Sequence, residues 1–471
     1  MLFNSLGYVA FLAFTFVAFW ALARHRVARI SLLLVASYLF YMSWSAQLIG
    51  LIIASTLVDY GIGLALGRVE APRPRKLLLS ASLVLNLGLL GLFKYADFFI
   101  QATSDGLALA GVDVEPQLLR LTLPVGISFY TFQTLSYTID VYRRRIPPAR
   151  SFVDFATYVA FFPQLIAGPI VRAKEFLPQL AVDPKLTRRD VGEGLFLILT
   201  GMIKKVLVAD YLATTLVDRV FESPEMYSTG EVWVAIYAYT WQIYGDFSGY
   251  TDIARGSARL FGLSLPENFD RPFMATGPIE FWKRWHITLS TWIQDYIYVP
   301  LGGSRHGEAR TYANLFLTFF IIGVWHGAGW TFVLFGLWHA SGVTLNRLYR
   351  QVRGGPRELT GFRRAATIFV SFHFFVLQWP IFRSPTVERM AEVYGRMFAG
   401  DWGSLQVPPA VWALTIGMGV LHATPRRWVE DVQRFVSDLP TPAQAAAAAA
   451  VAAAALYVGS QQAAPFIYFQ F

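Results

Sequence analysis

Long apolar segments alternate with short polar ones along most of the chain. A helix of about 20 apolar residues crosses the hydrocarbon core of a bilayer, and many of these segments approach that length. The pattern predicts an all-α polytopic membrane protein with about 11–13 transmembrane helices, forming a single domain over residues 1–471. The predicted spans are residues 6–23, 30–46, 48–67, 77–99, 121–141, 192–214, 231–251, 312–327, 330–346, 365–382, 407–422 and 442–459.

Two other apolar segments do not fit simple spans. Residues 152–171, "FVDFATYVAFFPQLIAGPIV", contain Pro163 and Pro169. A broken helix at membrane depth survives only where protein or a cavity covers it, so we predict a re-entrant hairpin. Residues 279–303 mix aromatic side chains with charged ones, which predicts one amphipathic helix at the inner face.

The charges between the spans predict an orientation. Loops that face one side are rich in Arg and Lys, as in "ARHRVAR" and "YRRRIPPAR", whereas residues 101–117 and 218–231 on the other side are acidic. Basic loops mark the cytoplasmic face, so the N-terminus is predicted to be extracytoplasmic. Basic residues follow the first apolar segment rather than precede it, which is the reverse of a cleavable signal peptide. Lys204 and Lys205 fall inside a predicted span, and we expect that helix to tilt or break there.

Composition narrows the possible chemistry. Only 15% of residues are charged, against roughly 25% in soluble domains. The absence of Cys excludes disulfides, thiolate nucleophiles and Cys-based metal sites. The net charge of +9 is explained by the basic loops, so it does not indicate nucleic-acid binding.

Two histidines lie in unusual surroundings. His326 ends an almost purely apolar segment, in "GVWHGAGWTF" beside Trp325, and His286 lies in "FWKRWHITLS". If a helix enters the membrane near residue 312, a rise of ~1.5 Å per residue places His326 roughly 20 Å deep. Burial favours the neutral ring, which can accept a proton from a hydroxyl. The residues alone leave three alternatives open: a structural histidine, a proton-relay or transport residue, and a catalytic base.

A third polar group punctuates "YTWQIYGDFSGYTDIARG", residues 239–256. Asp246 and Tyr250 share a helix face, and Asp252 and Arg255 are spaced to pair. Two interpretations are equally consistent with these groups. They could form hydrogen bonds and ion pairs with one another at a helix end, or they could form the polar wall of a cavity, to which Ser248 would also contribute. No zinc-binding pattern is present, and no metal site is expected.

The chain resembles the membrane-bound O-acyltransferase family, and most closely the branch that contains the alginate O-acetyltransferase membrane subunit. The longest matching segments lie at about residues 121–346, and matches extend nearly end to end. They are "LPVGISFYTFQTLSYTIDVYR", "FFPQLIAGPIVR", "DFSGYTDIA", "ENFDRPF", "EFWKRWHITLSTWIQDYIYVPLGG", "NLFLTFFIIGVWHGAGWTF", "WPIFR" and "PFIYFQF".

This resemblance implies a helical bundle around a central tunnel, with His326 and His286 as the catalytic residues. A cytoplasmic thioester donor, most simply acetyl-CoA, would meet the acceptor hydroxyl there, and no bound cofactor is implied. The acetyl group would pass to extracytoplasmic proteins that modify an exported polysaccharide, which implies a bacterial inner membrane. We expect the tunnel and substrate residues to include Trp325, Asp246, Ser248, Tyr250, Asp252, Trp282, Arg284, Gln133 and Arg172.

Three alternatives remain open. D-alanyl transfer to teichoic acids occurs within the same family and would use a carrier-protein donor. A secondary transporter is disfavoured because no inverted repeat of broken helices is visible. A non-catalytic export scaffold would have no need for a histidine, two glycines and two tryptophans deep in one span.

Overall fold

The computed structural model describes residue 3 and residues 5–355, 359–403 and 405–462. The chain divides into two compact units. The first comprises Met1–Asp190 and Ser257–Pro266, and the second comprises Val191–Gly256 and Glu267–Phe471. Within the described ranges the regular structure is helical, and the only β-type pairing is an isolated antiparallel bridge between Phe269 and Trp285.

The first unit consists of nine helices, together with residues 188–190 and 257–260, which belong to two helices of the second unit. In chain order the nine are α1 (Leu6–Ala21), α2 (Arg26–Met42), α3 (Ile49–Arg68), α4 (Pro72–Leu90), α5 (Ala96–Leu109), α6 (Ile127–Tyr142), α7 (Phe152–Ala160), α8 (Phe162–Leu165) and α9 (Ala173–Ala181). A π-helical turn, Gly91–Tyr95, joins α4 to α5 without interruption.

The second unit contains the remaining helices. They are α10 (Arg188–Met202), α11 (Asp218–Glu222), α12 (Thr229–Leu260), α13 (Pro278–Phe281), α14 (Ile287–Ile293), α15 (Glu308–His326), α16 (Trp330–Val352), α17 (Gly361–Val376), α18 (Trp379–Arg383), α19 (Val387–Met397), α20 (Pro409–Ala423), α21 (Arg426–Asp438) and α22 (Thr441–Gln462). π-Helical segments occupy Ile203–Asp210, Ala213–Val217 and Gln294–Tyr298.

The predicted all-α polytopic membrane fold is confirmed, and every predicted span coincides with a helix over most of its length. By length and composition, three described stretches can cross a membrane: Ile49–Arg68, Pro72–Leu109 and Gly361–Arg383. Two shorter apolar helices are Leu6–Ala21 and Pro409–Ala423. The larger number of crossings and the single-domain assignment stay predictions.

Residues 152–171 form a broken, buried segment, as the prolines predicted. The helix stops at Phe161, resumes for one turn and then passes through a turn into irregular backbone. Where the helix is interrupted, side chains form hydrogen bonds with backbone carbonyl groups. Gln164 Nε2 donates to the carbonyl of Tyr158 at 2.7 Å, and the Tyr158 hydroxyl donates to the carbonyl of Val171 at 3.0 Å. The segment is therefore covered by the first unit, and its re-entrant course through a bilayer stays a prediction.

The prediction of one amphipathic helix over residues 279–303 is wrong. The segment forms α13, a turn, α14 and a π-helical turn. The break occurs because His286 adopts a left-handed conformation, with φ of 43°, immediately before α14. A non-glycine residue in this conformation cannot continue a right-handed helix.

The helix that contains Lys204 and Lys205 changes form at these residues, because α10 becomes π-helical from Ile203 to Asp210. Glycines allow this helix to approach α12 closely. A Cβ on Gly249 would lie 2.7 Å from the Gly201 carbonyl oxygen. Small residues at such crossings let two backbones pack directly, which positions the middle of α12 within the second unit.

Candidate active site

His326 is the last residue of α15, and a loop of three residues connects it to α16. Added side chains would not fit around this connection. A Cβ on Gly327 would overlap the ring of Phe332, and a Cβ on Gly323 would overlap the Phe332 carbonyl oxygen. The glycines therefore allow α15 and α16 to form a tight hairpin that fixes the position of His326.

The His326 ring is enclosed by aromatic side chains and is only 4% exposed. Its centroid lies 5.3 Å from that of Phe335 and 5.4 Å from that of Phe382, both in nearly perpendicular arrangements. Such edge-to-face contacts favour one orientation of the imidazole. The sequence predicted a buried histidine here but did not predict these two phenylalanines.

His286 is fully buried in the turn before α14. Its left-handed backbone costs free energy in a non-glycine residue, and such outliers cluster at functional sites. Nδ1 of the ring lies 3.1 Å from Oδ1 of Asn268. Phe247, on α12, presents its ring to the imidazole at 4.7 Å and 84°. Neither Phe247 nor Asn268 was predicted as a site residue, although both lie in segments that carry the family resemblance.

Trp325 joins the two histidines in one aromatic cluster. Its ring centroid lies 4.9 Å from that of His326 and 6.0 Å from that of His286. The structure thus brings together three of the predicted site residues from two distant parts of the chain. An indole N–H and two imidazoles in a buried cluster are suited to proton transfer and to stabilisation of a developing negative charge.

Trp282 connects to this cluster through another histidine. Its indole Nε1 donates a hydrogen bond of 3.2 Å to Nδ1 of His339. The ring of Phe335 lies between His339, at 4.5 Å, and His326, at 5.3 Å. His339 is therefore a neighbour of the aromatic cluster around His326.

The predicted polar cluster on α12 is organised by the two lysines. Lys205 Nζ lies 2.7 Å from Asp210 Oδ1 and 2.5 Å from Asp246 Oδ1, and all three side chains are buried. Lys204 Nζ pairs with Asp252 at 2.6 Å.

The predicted pairing of Asp252 with Arg255 is present only at 3.9 Å, so Lys204 is the main partner of Asp252. The two lysines were expected only to tilt or break their helix, although a lysine within a predicted span also requires a counter-charge, and that signal could have indicated these aspartates. Ser248 and Tyr250 are buried on the same helix. Among the described residues, no three His, Asp or Glu side chains are grouped to hold a metal ion.

Arg284, Gln133 and Arg172 were predicted to contact the substrate, and that role stays a prediction for all three. Arg284 forms a salt bridge of 2.8 Å with Glu280 and approaches Asp270, so its guanidinium stabilises the turn that carries His286. Gln133 and Arg172 are buried in the first unit. The closing "PFIYFQF" segment lies outside the described residues.

Comparison with known proteins identifies the family. The sequence model of the membrane-bound O-acyltransferase family matches residues 145–382, which span parts of both units. A probable alginate O-acetylase of Pseudomonas putida is 37% identical over 100% of both chains. A peptidoglycan O-acetyltransferase of Helicobacter pylori is 35% identical, over 83% of this chain and 79% of that protein. A teichoic acid D-alanyltransferase of Streptococcus thermophilus is 25% identical, over 60% of this chain and 75% of that protein.

Both histidine segments lie within the matched residues, so the aromatic cluster is part of the region that the family shares. The chain belongs to the membrane-bound O-acyltransferase family and is an all-α, membrane-embedded acyltransferase.

Proposed function

We propose that the protein moves an acetyl group from a cytoplasmic thioester donor, most simply acetyl-CoA, across the membrane for the O-acetylation of an exported polysaccharide such as alginate. Two relatives that cover most of the chain are named as O-acetylating enzymes, and both names refer to glycans. The observation that carries the proposal is the contact of Trp325 with both His286 and His326 in one buried cluster.

The chemistry assigns a role to each group. The acceptor oxygen attacks the thioester carbonyl carbon, and an imidazole nitrogen of His326 takes the hydroxyl proton. As the tetrahedral intermediate collapses, the carbon–sulfur bond breaks, the ester forms, and the proton passes to the thiolate sulfur. The indole N–H of Trp325 and the ring of His286 are the candidates to stabilise the oxyanion.

The remaining substrate contacts follow from the proposal. A tunnel between the two membrane faces would admit the donor from the cytoplasm and the acceptor from outside. Trp282, Ser248 and Tyr250 would contribute to its wall, and the ion-paired Asp246 and Asp252 would hold α12 in place. Basic inner residues such as Arg172 and Arg284 would attract the anionic donor. Extracytoplasmic modifying proteins would receive the acetyl group at the outer face of a bacterial inner membrane.

Thiol release by the purified protein tests the donor directly. The chain contains no Cys, so a thiol reagent detects only the CoA that is set free. We expect CoA release from acetyl-CoA that rises when an acceptor hydroxyl is supplied, with the acetyl ester on that acceptor detected by mass spectrometry. Acyl transfer only from a D-alanyl carrier protein would favour the teichoic acid alternative, and the absence of turnover with either donor would favour a transporter or scaffold.

A further inference from the structure

The amide of Asn268 lies directly behind His286 in a rigid local frame. Asn268 is 1% exposed. Its backbone carbonyl accepts from the Ile287 N–H at 3.0 Å, and the Asp270 N–H donates to the Arg284 carbonyl at 2.9 Å. The Phe269–Trp285 bridge lies between these two hydrogen bonds. The bridge and the two hydrogen bonds that flank it therefore hold Asn268 next to His286.

The orientation of the Asn268 amide is determined by a backbone donor. Oδ1 lies 3.2 Å from the Thr288 backbone nitrogen, 2.9 Å from Thr288 Oγ1 and 3.1 Å from His286 Nδ1. A backbone N–H can only donate, so the atom that faces it must be the amide oxygen. A flipped amide would place an NH₂ group against this N–H. Nδ2 of Asn268 has no hydrogen-bond partner in the described part of the chain, so the contacts of Oδ1 select the orientation.

The fixed amide in turn determines the tautomer of His286. Because Nδ1 faces an acceptor, it carries the proton, and in the neutral ring the lone pair then lies on Nε2. We infer that Asn268 is a positioning residue that holds His286 as the Nδ1–H tautomer and makes Nε2 a proton acceptor in the active site. This inference rests on the proposed function and refines it. In its neutral form His286 then presents a hydrogen-bond acceptor at Nε2, and oxyanion stabilisation is left to donors such as Trp325.

An amide has a different effect from a carboxylate at this position. Both would accept from Nδ1, but a carboxylate would also favour the imidazolium form of His286. Asn268→Asp is therefore expected to preserve the tautomer and to shift the acidic limb of the pH–rate profile to higher pH. Asn268→Ala removes the acceptor, so the ring can populate the other tautomer.

Nitrogen-15 NMR of histidine-labelled protein in bilayers tests the tautomer without reference to activity. His286→Asn identifies the His286 signals by their loss, and asparagine tolerates the left-handed backbone at this residue. We expect the wild-type ring to show a protonated Nδ1 and an unprotonated Nε2. A wild-type ring protonated on Nε2 overturns the inference, whatever the activity of the protein.

Kinetics provide the second readout. Asn268→Ala is expected to lower kcat by ~10- to 100-fold, the scale on which a hydrogen-bond partner behind a functional histidine acts, with little change in KM for acetyl-CoA. Thr288→Val is the matched control, because it removes one hydrogen bond to Oδ1 but keeps the backbone N–H that orients the amide. A wild-type kcat in Asn268→Ala overturns the positioning role.

If Asn268→Ala does not fold, the pH profile of Asn268→Asp decides, and an unshifted profile counts against the inference. Wild-type turnover in His286→Asn would contradict the proposed function, while the NMR spectrum would still decide the tautomer.

Discussion

Individual side chains at the site are constrained more strongly than general core packing requires. His286 has a left-handed backbone, no exposure to solvent and a hydrogen bond to a fixed amide. Trp325 contacts both this ring and His326. Backbone strain of this kind persists only where the surroundings enforce it. At the residue scale, the structure therefore supports a preorganised reaction centre.

Trp325→Phe tests whether the indole N–H acts on the reaction. Phenylalanine keeps an aromatic ring between the histidines but removes the donor. Loss of one donor to a developing oxyanion lowers kcat by about 10²- to 10³-fold, and we expect a decrease of that size with KM for acetyl-CoA little changed. Trp330→Phe is the control, because Trp330 is 56% exposed and should retain wild-type turnover. Unchanged kcat in Trp325→Phe would remove the oxyanion role from this residue.

At the scale of elements, the α15–α16 hairpin determines where His326 lies. A Cβ on Gly336, on α16, would lie 2.5 Å from the Phe319 carbonyl oxygen on α15. The two helices therefore approach at a distance that only glycine permits, and this contact supports the end of α15.

Gly336→Ala should consequently destabilise the protein by ~1–3 kcal/mol, as overpacking does in well-packed cores. Thermal unfolding in detergent measures the effect as a lower Tm. Gly395→Ala is the matched control: Gly395 also lies inside a helix, but a Cβ there meets no atom within 4 Å. Its Tm should stay the same or rise, because alanine favours a helix over glycine by about 0.5–1 kcal/mol. Equal Tm values for both variants would refute the close helix contact.

The buried ion cluster of Lys205, Asp210 and Asp246 links the π-helical segment to α12. Lys205→Met would leave two buried carboxylates without their cation. Loss of one member of a buried pair costs about 3–5 kcal/mol, so we expect low yield and a large decrease in Tm.

Arg434→Met removes an exposed arginine that pairs with Asp431, and little change is expected there. Adding Asp210→Asn and Asp246→Asn to Lys205→Met should restore part of the lost stability. Failure of this triple variant to recover any stability would show that Lys205 acts through something other than charge compensation.

The sequence predicted the helices well because the length of an apolar segment can be read from neighbouring residues alone. It did not predict the break at His286, since a left-handed residue is selected by the Asn268 and Phe247 contacts of the folded state. His326 and His286 were singled out because a buried imidazole within a family motif is conspicuous, and their catalytic role stays a prediction. Phe335 and Phe382 were missed because one phenylalanine in an apolar helix looks like any other.

At the scale of the whole molecule, the predicted orientation in the membrane can be tested without background labelling, because the chain contains no Cys. Val112 lies in the acidic loop predicted on the extracytoplasmic side, and Ala71 lies in a basic loop predicted on the cytoplasmic side. Both side chains are exposed, so each can be replaced by a cysteine that a reagent can reach. An impermeant maleimide on intact spheroplasts should label Val112→Cys at once and Ala71→Cys only after permeabilisation. The reverse pattern would place the N-terminus in the cytoplasm.

The most direct test of the account is acyl transfer by His326→Gln, measured as acceptor-dependent CoA release from acetyl-CoA. Glutamine keeps a polar side chain in the aromatic pocket but cannot accept a proton near neutral pH. The loss of a general base lowers turnover by about 10²- to 10⁴-fold, and we expect that decrease in a variant with wild-type Tm and gel-filtration behaviour. A folded His326→Gln protein that transfers acetyl groups at the wild-type rate would contradict the central claim that His326 is the chemical centre.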